Sequence, residues 1–213
     1  MVPPCTPVFE KQQRPRFVKG KFYTAQTLQI FQEHCPQNPR SEALGAAFGT
    51  ILCFHKRYNL GDPVDPALPP FESWSKLEKN LRDLCNAEIV LPLYLYDHGV
   101  RRMNTTGFAC GWDSGQVGFI YITEKEIRDL YGECERTSSF MQRVSKALKG
   151  EVELYNAYLS GEVYWYRVMD EHNRIVNSCG GYYGKQGIDT IVKEAGFDES
   201  REECITYLNP LSD

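Results

Sequence analysis

Three stretches of the chain place titratable and aromatic side chains where a purely structural strand has no use for them. Cys53-Phe-His-Lys-Arg-Tyr-Asn-Leu-Gly-Asp62 runs from an apolar strand pattern into His55, Lys56, Arg57, Tyr58 and Asp62. Tyr94-Leu-Tyr-Asp-His98 supplies Asp97 and His98 and continues to Asn104-Thr-Thr106. Cys110-Gly-Trp-Asp-Ser-Gly-Gln116 supplies Trp112, Asp113 and Gln116 just ahead of another apolar run. Strand ends and the loops leaving them are where a rigid scaffold holds side chains at fixed separations, so these eight residues (His55, Arg57, Tyr58, Asp97, His98, Trp112, Asp113 and Gln116) are the candidate site.

Several chemistries are open to such a set. An imidazole oriented by Asp97 or Asp113 is a general base or a metal ligand in the sharp reading, and a histidine satisfied by a main-chain carbonyl or a carboxylate in the ordinary one. Two histidines with one or two aspartates could hold a divalent ion, yet no HExxH-type spacing asks for one. Cys110 with His55 or His98 and Asp113 would make a nucleophilic triad, although a single cysteine among eight is more often inert packing. Ser114 does not stand in a GxSxG elbow, and Gly180-Gly181 matches no phosphate-binding glycine loop. The eight cysteines form no CxxC pair and no zinc-finger pattern. The expectation is therefore no cofactor, no metal and no assigned catalytic residue. Trp112, Tyr94, Tyr96 and Tyr58 with Arg57 could stack on a base or anchor a protein interface, or the aromatics could fill the core.

The elements that must position these residues follow from periodicity. Alternation over Phe22–Phe31 predicts a half-buried strand, and the continuous apolar content of Phe48–His55 predicts a strand central in a sheet. Gly61 to Pro70 is turn-rich. Trp74, Leu77, Leu81, Leu84 and Cys85 recur at helical spacing within Phe71–Asn86. Ile89–Tyr96 is a strand whose Pro92 calls for an edge or a bulge. Val117–Ile122 is another, and Thr123-Glu-Lys-Glu126 is a capping box that opens a short helix. A long helix is expected over Ser138–Leu159, a hairpin over Glu162–Val168 and Arg174–Tyr183, and a last helix from about Gly187 to Ala195. Strands and helices mixed without βαβ alternation predict an α+β fold, a mixed and mainly antiparallel sheet with helices on one face, in a single domain.

Composition bounds the rest. With 42% hydrophobic and 24% charged residues over 213 positions, the chain is of ordinary globular type. The net charge of −4 hides an asymmetry. Residues 1–21 carry five Lys and Arg against Glu10, and the segment from Glu194 onward carries six acids against Arg201. We divide the chain into a flexible basic arm (1–21), a globular α+β domain (22–196) and an acidic C-terminal segment (197–213). The acidic remainder opposes non-specific affinity for nucleic acid. With no signal-like apolar start and no run long enough to span a bilayer, the expectation is a cytoplasmic protein with reduced thiols and no membrane partner.

The three polar stretches, with Gly150-Glu-Val-Glu-Leu-Tyr155, Gly161-Glu-Val-Tyr164 and Ser178-Cys-Gly-Gly-Tyr-Tyr-Gly184, resemble a family of small proteins common in bacteriophage and prophage genomes. The resemblance spans about residues 24 to 184. It implies a phage-encoded accessory protein working in the cytoplasm of the bacterial host, and it carries over no catalytic residue. By analogy, such a protein is expected to be a non-catalytic anti-defence inhibitor. Its partner would be a host defence protein of CRISPR or restriction type, alone or in its nucleic-acid complex, or a nucleotide signal that it sequesters. The alternatives are a small His/Asp-dependent hydrolase or nuclease and a structural or virion-associated protein. The oligomeric state is left open.

Overall fold

The computed structural model describes residues 9–13, 16–18, 21–23, 25–41, 47–197 and 205–207, with side chains over 25–41 and 47–197. The class is α+β as expected, and all strand pairings among the described residues are antiparallel. The chain divides into two compact units, residues 38–160 and residues 1–37 with 161–213. The strands accordingly fall into two main sheets where the sequence led us to expect one.

The unit made of both chain ends holds β1 (Phe9–Gln13), β2 (Arg16–Val18), β3 (Lys21–Tyr23), β4 (Gln26–Gln32), β9 (Val163–Asp170), β10 (Ile175–Tyr183), α4 (Gly184–Glu194) and β11 (Ile205–Tyr207), numbered along the whole chain. Its sheet runs β10-β9-β4-β1-β11, with β2 and β3 forming a separate ribbon. Leu28 and Ile30, two residues apart and so on one face of β4, meet Tyr166 and Val168 of β9 and Ile191, Val192 and Phe197 in a dry core. On the opposite face Phe31 stacks on Trp165 at 4.3 Å under the Arg167 guanidinium. The arm and acidic segment expected at the two ends differ in one respect: β1 pairs with β4 and with β11. Main-chain bonds to neighbouring strands set such a strand, so apolar periodicity in its own sequence is not required. The remainder of residues 1–21 and 197–213 lies outside the described residues, apart from β2, the first residue of β3 and Phe197.

The β9–β10 hairpin turns on Asp170. Its Oδ1 accepts the His172 and Arg174 amides at 2.9 and 3.0 Å, and its Oδ2 accepts Arg174 Nε at 2.8 Å, while Asn173 takes the left-handed conformation at φ 60°. These bonds to the Arg174 amide and guanidinium, and then to the His172 amide, hold the Asp170 carboxyl down from 3.8 to about 2. A carboxylate lowered by folding contributes stability above its ordinary value, and that contribution is lost as pH falls toward the folded value. A carbon-detected NMR titration should place the Asp170 inflection near pH 2, and Asp170→Asn should flatten the hairpin's loss of order between about pH 4 and 2. An inflection at the ordinary value would show that the turn is not held this way.

The middle unit is built on β5 (Thr50–Cys53), α1 (Trp74–Leu84), β6 (Ala87–His98), β7 (Val100–Asn104), β8 (Ser114–Thr123), α2 (Glu124–Tyr131) and α3 (Ser138–Leu159). Its sheet runs β5-β8-β6-β7. One face sends Ile51, Leu93, Leu95, Met103, Ile120 and Ile122 against Val144, Leu148, Val152, Tyr155 and Leu159, the stripe of α3 repeating every three or four residues. The other sends Leu52, Val90, Phe119 and Tyr121 against Leu77 and Leu81 of α1. Helices thus cover both faces of this sheet, not one, and β8 is apolar on both sides for that reason. The capping box is present: the Thr123 hydroxyl accepts the Glu126 amide at 3.2 Å, and the Glu126 carboxylate accepts the Thr123 amide at 2.7 Å.

The structure corrects one expectation and decides between the alternatives of another. The strand expected to be central, β5, is at the sheet edge. Its continuous apolar content reflects two covered faces, with the open edge partly closed by a bridge from Leu52 to Gly61. The strand carrying Pro92, β6, is interior and takes the bulge alternative, a register shift between Leu93 and Tyr94. Gly118 of β8 pairs with Cys53 of β5, and a Cβ there would overlap the Leu52 carbonyl.

Candidate functional site

The three polar stretches meet at one end of the four-stranded sheet. Along β6, Leu93, Leu95 and Asp97 alternate onto the face that α3 covers, and the strand carries Asp97 out past the end of that apolar core. Asp97 is paired across the sheet with Arg101 of β7, and its amide donates to the Asp113 carbonyl at 2.9 Å, which joins the second stretch to the third.

The first stretch reaches the same place through a loop locked at both ends. At its start the Phe54 amide donates to the Val117 carbonyl at 2.7 Å. At its end the Asp62 amide donates to the Ile51 carbonyl at 2.8 Å, and the Gly61 amide donates to the Tyr155 hydroxyl at 2.9 Å. Position 61 requires glycine on two counts, its positive φ of 77° and the clash that a Cβ would make with Ile51. Arg40 closes the lock. Its guanidinium, 2% exposed, donates to both Asp62 carboxylate oxygens, to Glu151 Oε2 at 2.7 Å and to the Gly49 carbonyl at 2.6 Å. Asp62, one of the polar groups of the first stretch, is therefore a structural anchor.

Within the loop, the His55 and Tyr58 rings stack at 4.9 Å and 7°, the Arg101 guanidinium stands 5.0 Å from the Tyr58 ring centre, and Arg57 Nη2 is ion-paired with Asp97 Oδ2 at 2.5 Å. The His55 Nδ1 accepts the Arg57 amide at 3.3 Å. Across the gap, His98 Nδ1 lies 3.4 Å from Asp113 Oδ2, the Cys110 thiol lies 3.9 Å from the same oxygen, and the Ser114 hydroxyl donates to the Cys110 carbonyl. Between the stretches is a cavity of about 290 Å³ lined by His55, Arg57, Asp97, Trp112, Asp113 and Ser114, together with Leu95, Gly115 and Val117. Trp112 stands at this cavity with 98% of its surface exposed.

Five of the eight expected residues, His55, Arg57, Asp97, Trp112 and Asp113, line the cavity. Tyr58 backs it by stacking on His55, and His98 touches Asp113. Gln116 does not line it: its side-chain amide donates to the Gly118 carbonyl at 3.4 Å. Tyr94 and Tyr96 belong to the opposite alternation of β6, where Tyr96 faces Phe108, so the platform expected from them with Trp112 and Tyr58 is not assembled. Asn104 makes a turn, its Oδ1 accepting the Thr106 and Gly107 amides. Sequence reading missed Arg101 and Gly115. The signal for Gly115 was available in a strand glycine with no turn to make, and a Cβ there would meet nothing within 4 Å.

The neighbour of the Cys110 thiol is a carboxylate and that of the Ser114 hydroxyl is a main-chain carbonyl, so neither has the imidazole partner of an activated nucleophile. The His98 side chain is 72% exposed. Among the described residues, no three His, Cys, Asp or Glu side chains are grouped to hold a metal ion. Cys53, at the start of the loop, is pushed up to about 11 by burial. No helix among the described residues is long and apolar enough to cross a membrane. No family model, curated protein or solved structure matches the chain.

Proposed function

We propose that this is a phage-encoded accessory protein that works without catalysis, by presenting the Trp112 face to a host defence protein of CRISPR or restriction type in the bacterial cytoplasm and occluding it. The phage setting rests on the sequence resemblance. The mode of action rests on one observation: a tryptophan held almost wholly in water beside a preformed cavity. Tryptophan, tyrosine and arginine are the side chains that most often carry the energy of protein interfaces, and here Tyr58 and Arg57 stand on the locked loop with Trp112 at the same cavity. A nucleotide is a poorer fit, because a phosphate entering the cavity meets Asp97 and Asp113 while the Arg57 guanidinium is already paired.

Gly115→Leu tests this reading with little risk to the fold. The new side chain projects into open space at the cavity from a strand backbone without positive φ, so the melting temperature should hold or rise slightly. Tagged wild-type protein should capture a defence effector from host lysate and inhibit it at one-to-one stoichiometry, and the variant should do neither. Turnover of a substrate by the wild type, or equal inhibition by the variant, would contradict the reading.

A further inference from the structure

The charge of the cavity points to the group it receives. Its walls hold two carboxylates and one guanidinium, and that guanidinium is bound to Asp97. Asp113 is left with an imidazole at 3.4 Å and a thiol at 3.9 Å, neither of them a fixed cation, and its side chain is 38% exposed. The Trp112 indole stands free beside it, and an indole face attracts cations more strongly than any other aromatic side chain. A flat cation meets both features, and a planar guanidinium also meets a carboxylate with two parallel hydrogen bonds, which an ammonium cannot.

We infer that the cavity takes an arginine side chain of the partner protein, its guanidinium lying on Trp112 and paired with Asp113. This rests on the reading of the face as a binding surface and adds the chemistry of the anchor. It makes charge, not aromatic content alone, the partner's required feature.

N-acetylarginine amide at millimolar concentration, added to the full chain labelled with nitrogen-15, is the direct probe, read at the Trp112 indole N–H resonance assigned with Trp112→Phe. The arginine amide should shift it saturably. The neutral citrulline analogue should bind at least tenfold more weakly, and the lysine amide should fall between them. Asp113→Asn should weaken the arginine response at least tenfold, and Gly115→Leu should abolish it without altering the melting temperature. An equal response to citrulline, a response to AMP but not to arginine, or no response to arginine would overturn the inference. If arginine fails while Gly115→Leu still abolishes capture of the effector, the binding face stands and only its assigned anchor falls. If Gly115→Leu leaves capture intact, the binding face itself is wrong.

Discussion

Trp112→Ala is expected to weaken partner binding by about 30-fold to 1000-fold, the range that follows from a loss of about 2 to 4 kcal/mol at an interface hot spot. The same change should move the melting temperature by less than about 2 °C, since a side chain 98% exposed contributes almost no packing to its own fold. The pairing of these outcomes is informative. Tryptophan is a large apolar surface, and leaving it in water forgoes the stabilisation that burial would give. A loss of affinity without loss of stability locates its contribution in the complex. A large fall in melting temperature would return Trp112 to a structural role, and unaltered affinity would place the contact elsewhere.

The second large effect concerns the lock behind the site. Arg40→Ala should destabilise the middle unit by about 3 kcal/mol, the lower end for breaking a buried ion pair, because the Asp62 and Glu151 side chains keep some access to water. The removed guanidinium leaves two carboxylates and the Gly49 carbonyl without their donor. Asp62 also accepts the Ile51 amide at 2.7 Å, so the damage passes to the start of β5 and the closing end of the loop that carries His55 to Tyr58. Urea unfolding should show a lower midpoint with an unchanged slope, and Arg40→Ala with Asp62→Asn should cost less than the two changes added. Arg40→Lys should recover only part, since an ammonium cannot span Asp62, Glu151 and Gly49 at once. A loss below about 1 kcal/mol would show that the network is not what holds the loop.

How much of this was legible beforehand depended on which physical signal each element leaves in its own sequence. The long helix over Ser138–Leu159 and the Thr123/Glu126 capping box rest on local patterns, and the structure has both at the positions expected. The place of β5 was misjudged because apolar content reports how many faces are covered and is silent on how many edges are paired. β7 left no signal, since Val100-Arg-Arg-Met-Asn104 shows one buried residue, Met103. β1 left none either, because pairing by main chain does not depend on side-chain pattern. At the site, convergence of residues near 55, 97 and 113 is a long-range fact: it requires β6 and β8 to be neighbours in a register that sets Tyr96 opposite Ser114. Side-chain types announced the three stretches, but alternation decided which members share the cavity. That is why Asp97 lines it and Tyr96 does not.

The central claim is that the Trp112 face is where the protein meets its partner. A photo-crosslinking amino acid at position 112, compared with the same group at Lys79 on the exposed side of α1, tests it in cells. The account predicts one dominant crosslinked protein from position 112, absent from position 79 and lost when Gly115→Leu is added. Equal crosslinking from both positions, or crosslinking from position 112 that survives Gly115→Leu, would contradict it.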